Sequence, residues 1–315
     1  MNISRIIFSV FLAGLFIFLL FRQVDFANVR ELGRNLNWTY SVLAFLAYFG
    51  LNVLRAIRFE LLLNRAVKLR AMLNIIFVQN FFNVILPFRL GELSYIHFIR
   101  SYNISFGKNM ASLIGARFLD LLSIVIIFLF SLFSLIQTVS YSITLIIVSL
   151  VLILILFIVL PLFFWLFGII EHRLTVKNSD GALGFILRKV IEVRTSLISL
   201  NHQRLLINAG VLSLAIWLMT FLVGMFLFRS VLINFGFWEA VFAYAFPVVA
   251  SFTPFHFFAG FGSYESVTSL GLIILGLNNN VAISSSLMLH LQELVFVVIL
   301  AMVGFWQMTR SRHEK

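Results

Sequence analysis

The chain has 315 residues, of which 62% are hydrophobic and only 11% charged, with a mean hydropathy of +1.07. A soluble domain carries about 25% charged residues, so a water-soluble globular protein is excluded, and the net charge of +11 reads as attraction to anionic headgroups rather than to nucleic acid. The absence of cysteine excludes disulfides, thiolate metal sites and covalent haem attachment.

The first apolar run, 6–21, follows Arg5 and continues Phe21-Arg22-Gln23-Val24 without a small-residue cleavage site. It is expected to be an uncleaved first transmembrane helix. Six stretches read as full crossings: 4–21, 38–54, 109–136, 141–170, 205–228 and 281–306. Two regions, 71–107 and 238–279, are apolar but broken. Pro87, Pro247 and Pro254 lie in these regions, while Pro161 is expected to kink the fourth crossing.

Basic residues collect in three places. The segment 55–70 holds Arg55, Arg58, Arg65, Lys68 and Arg70, the segment 171–204 holds six more, and the tail holds Arg310, Arg312 and Lys315. The positive-inside rule puts these segments and both termini in the cytoplasm. The loop 22–37 then lies outside, with Asp25 and Glu31 offsetting part of Arg22, Arg30 and Arg34. The crossings alternate correctly if each broken region enters and leaves on one side, the first from the cytoplasm and the second from outside. Arg55 and Arg229 read as topology anchors at helix ends. The stretch 183–200 reads as a basic amphipathic helix on the inner leaflet.

The two broken regions share a pattern. Glu92 is followed by Arg117 after 25 positions and Asp120 after three more. Glu265 is followed at the same spacing by His290 and Glu293, so one offset of 173 aligns acid, base and acid. Opposed orientations make this an inverted repeat, a transporter plan in which the site lies near the midplane. The expected architecture is therefore an all-α polytopic membrane protein with about six full crossings and two re-entrant pairs. It is one membrane domain: an N-terminal helix and outer loop (1–37), repeat one (38–136), a linking helix and basic loop (137–204), repeat two (205–306) and a tail (307–315).

In the first motif, Pro87 and Gly91 would separate two half-helices. The N–H groups of the second half-helix would favour an anion, and Arg89 adds a permanently charged planar donor. Pro254, Gly260 and Gly262 are the corresponding breaks in the second motif. Arg117 and Asp120 share a helical face, as do His290 and Glu293. Intramembrane charge marks a functional site, so Arg89, Glu92, Arg117, Asp120, Glu265, His290 and Glu293 are the candidate binding and translocation residues. A structural Arg117–Asp120 pair, or a proton relay through His290, Glu293 and Glu265, are alternative uses of the same groups. No third ligand accompanies His290 and Glu293, so neither a metal nor a cofactor is expected. Signatures of soluble enzymes are missing.

The run Leu86-Pro87-Phe88-Arg89-Leu90-Gly91-Glu92 with Arg117-Phe118-Leu119-Asp120 resembles the lysylphosphatidylglycerol synthase transmembrane, flippase-like family. Thr253-Pro254 through Gly260-Phe261-Gly262-Ser263-Tyr264-Glu265 resembles its second motif, and the resemblance spans about 40–306. Departures are Phe88 where glycine is common, Phe255-His256-Phe257-Phe258 where glycines are expected, and His290 where arginine is often found. The resemblance implies lipid translocation. In two-domain members a soluble domain makes the aminoacylated lipid that this region moves; other members stand alone and are linked to glycolipids or polyprenyl-linked sugars. The chain ends at Lys315, so no synthase domain is expected.

The reading is thus a non-enzymatic flippase or transporter of an anionic phospholipid, glycolipid or polyprenyl-linked lipid in the cell membrane. Its partners would be membrane lipids and a separate lipid-synthesising enzyme. The alternatives are a secondary transporter of a small anionic or ion-coupled solute and an intramembrane lipid-modifying enzyme.

Overall fold

Lipid offers no hydrogen bonds, so a spanning segment must satisfy its backbone internally, as a helix does. The computed structural model describes residues 26–86, 91–137, 144, 146–147, 182–199, 203–250 and 258–313, and all regular structure among them is helical. In chain order the helices are α1 (Phe26–Arg34), α2 (Trp38–Leu62), α3 (Leu69–Ile85), α4 (Gly91–Arg100), α5 (Phe106–Ser134), α6 (Ala182–Ser199), α7 (Gln203–Ser230), α8 (Phe237–Ala250), α9 (Ser263–Ile274) and α10 (Asn279–His313). Helices α2, α5, α7 and α10 are long and apolar enough to cross a bilayer. The protein is an all-α polytopic membrane protein. The expected first crossing, 4–21, lies outside the described residues, as does nearly all of the fourth, 141–170.

Several hydroxyls inside the long helices fold back onto the preceding turn. Ser123 donates to the Leu119 carbonyl at 2.8 Å, Thr220 to Ile216 at 2.8 Å and Ser286 to Ala282 at 2.6 Å. They thereby satisfy themselves without a partner helix.

Contacts between chain ends fix the direction of each helix. At one end, Asn74 of α3 donates to Gln307 of α10 at 3.2 Å, and the exposed Arg65, Lys68, Arg70, Arg100 and Arg204 gather there. At the other end, the Asn37 N–H donates to Ser230 at 2.9 Å and Ser131 Oγ to the Trp238 carbonyl at 2.8 Å. Helices α2 and α10 therefore run toward the basic end, and α5 and α7 away from it.

The short helices come in pairs. α3 leaves the basic end and α4 returns to it, while α8 leaves the opposite end and α9 returns there. α4 has ten residues and α9 twelve, roughly 15–18 Å of helix against a hydrocarbon core of about 30 Å. A Cβ on Gly91 would overlap Asn83, so glycine lets α4 start against α3. Gly271 packs on the Ala243 backbone in the same way, closing α9 against α8. The turn before α9 holds Ala259, Gly260 and Gly262 at φ of 53°, 76° and 83°, left-handed values that suit glycine and strain alanine. Pro247 lies within α8, which ends three residues later.

The structure alters one expected boundary. Helix α2 continues through Arg55 and Arg58 to Leu62, where Asn64 and Arg65 take positive φ of 54° and 57°. The two arginines are therefore part of the bundle, and Arg55 is no helix-end anchor. α6 covers the expected amphipathic stretch and docks on the start of α5, where Glu192 accepts the Gly107 N–H at 2.8 Å.

Candidate functional site

Two apolar cores lie toward the two ends of the bundle, one around Phe221, Phe228 and Ala243, the other around Leu62, Met72 and Tyr95. Where they part there is a cavity of about 260 Å³. Asn83 and Val84 near the end of α3 line it, with Pro247, Val248 and Ala259 from the second pair. The tips of both helix pairs thus face one space.

One pole of the cavity is cationic. Arg58, 2% exposed, meets Asp120 with both terminal nitrogens, Nη1 to Oδ1 at 2.5 Å and Nη2 to Oδ2 at 3.2 Å. Trp217 Nε1–H donates to the same Oδ1 at 2.9 Å, and Arg58 also donates to Ser213 at 2.7 Å. Arg117 reaches Glu92 at 2.5 Å and stands 3.5 Å from Asp120. Asp120 therefore ties α2, α5 and α7 together, the bidentate geometry being the strong form of such a pair. Arg55 lines the same wall with Gln79, Asn80 and Asn83. Asn80 is held by Asn52 at 2.7 Å.

The other pole is built from a carboxylate and hydroxyls. His290 Nδ1–H donates to Glu265 Oε1 at 2.7 Å, and Glu265 Oε2 accepts the Gly262 N–H at 2.7 Å. Glu265 is fully buried and His290 is 4% exposed. Tyr264 stacks on the imidazole at 4.4 Å. Glu293 Oε1 accepts from the hydroxyls of Tyr244 at 2.5 Å and Tyr264 at 2.7 Å, and no cation reaches it among the described residues. Gly224 of α7 leaves the room that the Tyr244 ring fills.

The acid and base spaced 25 apart touch in both halves, Glu92 with Arg117 and Glu265 with His290. The third members diverge: Asp120 binds a guanidinium, while Glu293 binds tyrosines. Glu92 and Glu265 stand in the first turns of α4 and α9, where negative charge complements the helix dipole. The half-helix N-termini thus already hold the protein's own carboxylates. Arg89, Pro87 and Pro254 lie outside the described residues.

Sequence reading missed Arg55, Arg58, Trp217, Tyr244 and Tyr264. Arg55 and Arg58 carried a signal, since they stand three apart on a run with no break before Leu63. The tyrosines carried none, because tyrosine is ordinary in apolar helices. Among the described residues no group of three His, Cys, Asp or Glu side chains converges as metal ligands.

No curated protein and no solved structure matches the chain. A family model described as the lysylphosphatidylglycerol synthase TM region matches residues 6–301. That match covers nearly the whole chain and both arms of the acid–base pattern, and the chain belongs to the lysylphosphatidylglycerol synthase transmembrane-region family.

Proposed function

We propose that this protein moves a lipid with an anionic headgroup between the leaflets of the cell membrane without altering it covalently. The observation that carries the reading is the cavity. Charged and hydroxyl side chains from α2, α5, α7 and α10 converge there, between the tips of two helix pairs that enter from opposite ends. Inverted repeats with broken helices build their substrate site in this way. At about 260 Å³ the cavity is below the roughly 300–1,000 Å³ of sites that enclose drug-sized ligands. A headgroup fits, and the acyl chains stay in the surrounding lipid.

In this reading the basic end faces the cytoplasm, the two helix pairs are re-entrant, and a separate enzyme supplies the lipid. The test is a leaflet-resolved assay of labelled anionic lipid in proteoliposomes. Wild-type protein is expected to equilibrate the label, and Arg117→Ala to slow it at least ~10-fold, as loss of one charged contact does. Lipid distribution indistinguishable from that in protein-free liposomes would overturn the reading.

A further inference from the structure

Three guanidiniums, those of Arg55, Arg58 and Arg117, line the cationic pole of the cavity, and two carboxylates, Asp120 and Glu92, answer them. The terminal nitrogens of Arg58 are taken up by Asp120 and Ser213, its buried Nε finding no partner among the described residues, and Arg117 is held by Glu92 with Asp120 close by. Arg55 makes no hydrogen bond and no ion pair with the described residues, although it is partly buried and lies within Coulombic reach of Asp120, Arg117 and Arg58. Among these described neighbours Arg117 and Arg58 repel it and Asp120 attracts it. Glu293 lines the same cavity, but its contacts are the two tyrosine hydroxyls. Glu265 caps the N-terminus of α9, and Glu92 stands in the first turn of α4.

A partly buried guanidinium with two like charges and one carboxylate near it is costly unless something further negative answers it. We propose that Arg55 is the residue that binds the anion, and that its ligand is a phosphate-type oxyanion seated in the cavity. Arg58 and Arg117 belong to the frame that shapes the pole. The guanidinium fork matches two phosphate oxygens at once, and Gln79 and Asn80 of α3 line the cavity beside it. Glu293 sets the polarity: the anionic group lies toward Arg55, and hydroxyls of the ligand toward the tyrosine pole. This inference rests on the transport reading for its setting, but it concerns binding and can fail alone.

The test uses the full chain in phosphatidylcholine nanodiscs doped with phosphatidylglycerol as the anionic probe. Lipid retention is measured with and without added inorganic phosphate. Arg55→Gln is expected to weaken retention of phosphatidylglycerol ~10- to 100-fold, the span of one charge-assisted contact, with Arg55→Lys between it and the wild type. Arg70→Gln, a charge removal at the surface, is the control and retains the lipid. Because Arg55 has no ion-pair or hydrogen-bond partner among the described residues to lose, Arg55→Gln is expected to melt at or above the wild-type temperature. A clear drop in melting temperature would show a structural role and overturn the assignment.

The added phosphate separates the two sources of oxyanion. Displacement of the lipid in the wild type points to a site that also accepts the free ion. Arg55-dependent retention without displacement points to the lipid headgroup alone. Both uphold the oxyanion site. Equal retention by wild type and Arg55→Gln, with loss in Arg117→Gln, would overturn the proposal and leave transport intact. A wild type that binds through Arg55 but moves no lipid would instead sink the transport reading and leave this one standing.

Discussion

The two poles of the cavity repeat one spacing with different chemistry. At the cationic pole, Glu92 and Arg117 remain about a quarter to a third exposed, and the buried element is Arg58–Asp120 at 2% and 5%. At the hydroxyl pole the acid–base pair itself is sealed, with Glu265 at 0% and His290 at 6% of side-chain exposure. A repeated backbone plan thus conserves which positions touch, while burial decides what each contact is worth. Exposed pairs contribute at most about 1 kcal/mol. Breaking a buried pair by removing one partner costs about 3–5 kcal/mol.

The largest expected effect comes from Asp120→Ala, which leaves Arg58 buried and unanswered and also frees the Trp217 N–H. A loss of about 3–5 kcal/mol is expected, read as thermal or denaturant unfolding of the protein in nanodiscs. Replacing both partners by Met and Leu should recover most of that stability. Failure to recover would mean that the pair contributes more than it costs to bury.

A direct contest between the halves comes next. Glu265→Gln should cost about 1.5–3 kcal/mol, the value of hydrogen bonds to a charged group, and Glu92→Gln about 1 kcal/mol or less. Equal losses on the same melting assay would erase the distinction drawn from burial.

The smallest effect lies outside the cavity, at the docking of α6 on α5. The Lys189 ammonium bonded to Glu192 at 2.7 Å, and then the Gly107 N–H, hold this carboxyl below the usual range. A depressed folded value contributes stability that is complete above the unfolded value of about 4.5 and is lost as pH falls through the lower folded value. Amide protection over 182–199, taken relative to the intrinsic exchange rate at each pH, is expected to fall as the pH drops below 4.5, and Glu192→Gln should abolish that loss. An unchanged pH profile in the variant would remove Glu192 from this role.

Much of the fold was legible because hydropathy and length speak directly in a membrane chain. The predicted crossings 38–54, 109–136, 205–228 and 281–306 fall within α2, α5, α7 and α10 or within two residues of their ends. Extended Leu86 ends α3, and Ala259, Gly260 and Gly262 turn the chain before α9, while Pro87 and Pro254 themselves lie outside the described residues. The error at Arg55 and Arg58 has a physical cause. A hydropathy window ends a crossing at the first charge, yet a helix ends where its backbone turns, here at Asn64 and Arg65. The contact of Glu92 with Arg117 and of Glu265 with His290 could be foreseen from spacing, since each acid opens a half-helix and each base follows in the next long helix. Asp120's partner on α2 and Glu293's tyrosines on α8 and α9 are tertiary choices that spacing does not encode.

The unequal sealing of the two acid–base contacts makes the molecule lopsided as a machine. Swinging α4 off α5 parts Glu92 from Arg117 where water can take over both ions, so that latch releases cheaply. Lifting α9 off α10 must strip Glu265 of His290 in a dry interior, and that latch resists. Of the two acid–base contacts, the one in the helix pair that leaves the basic end is therefore the cheaper to part.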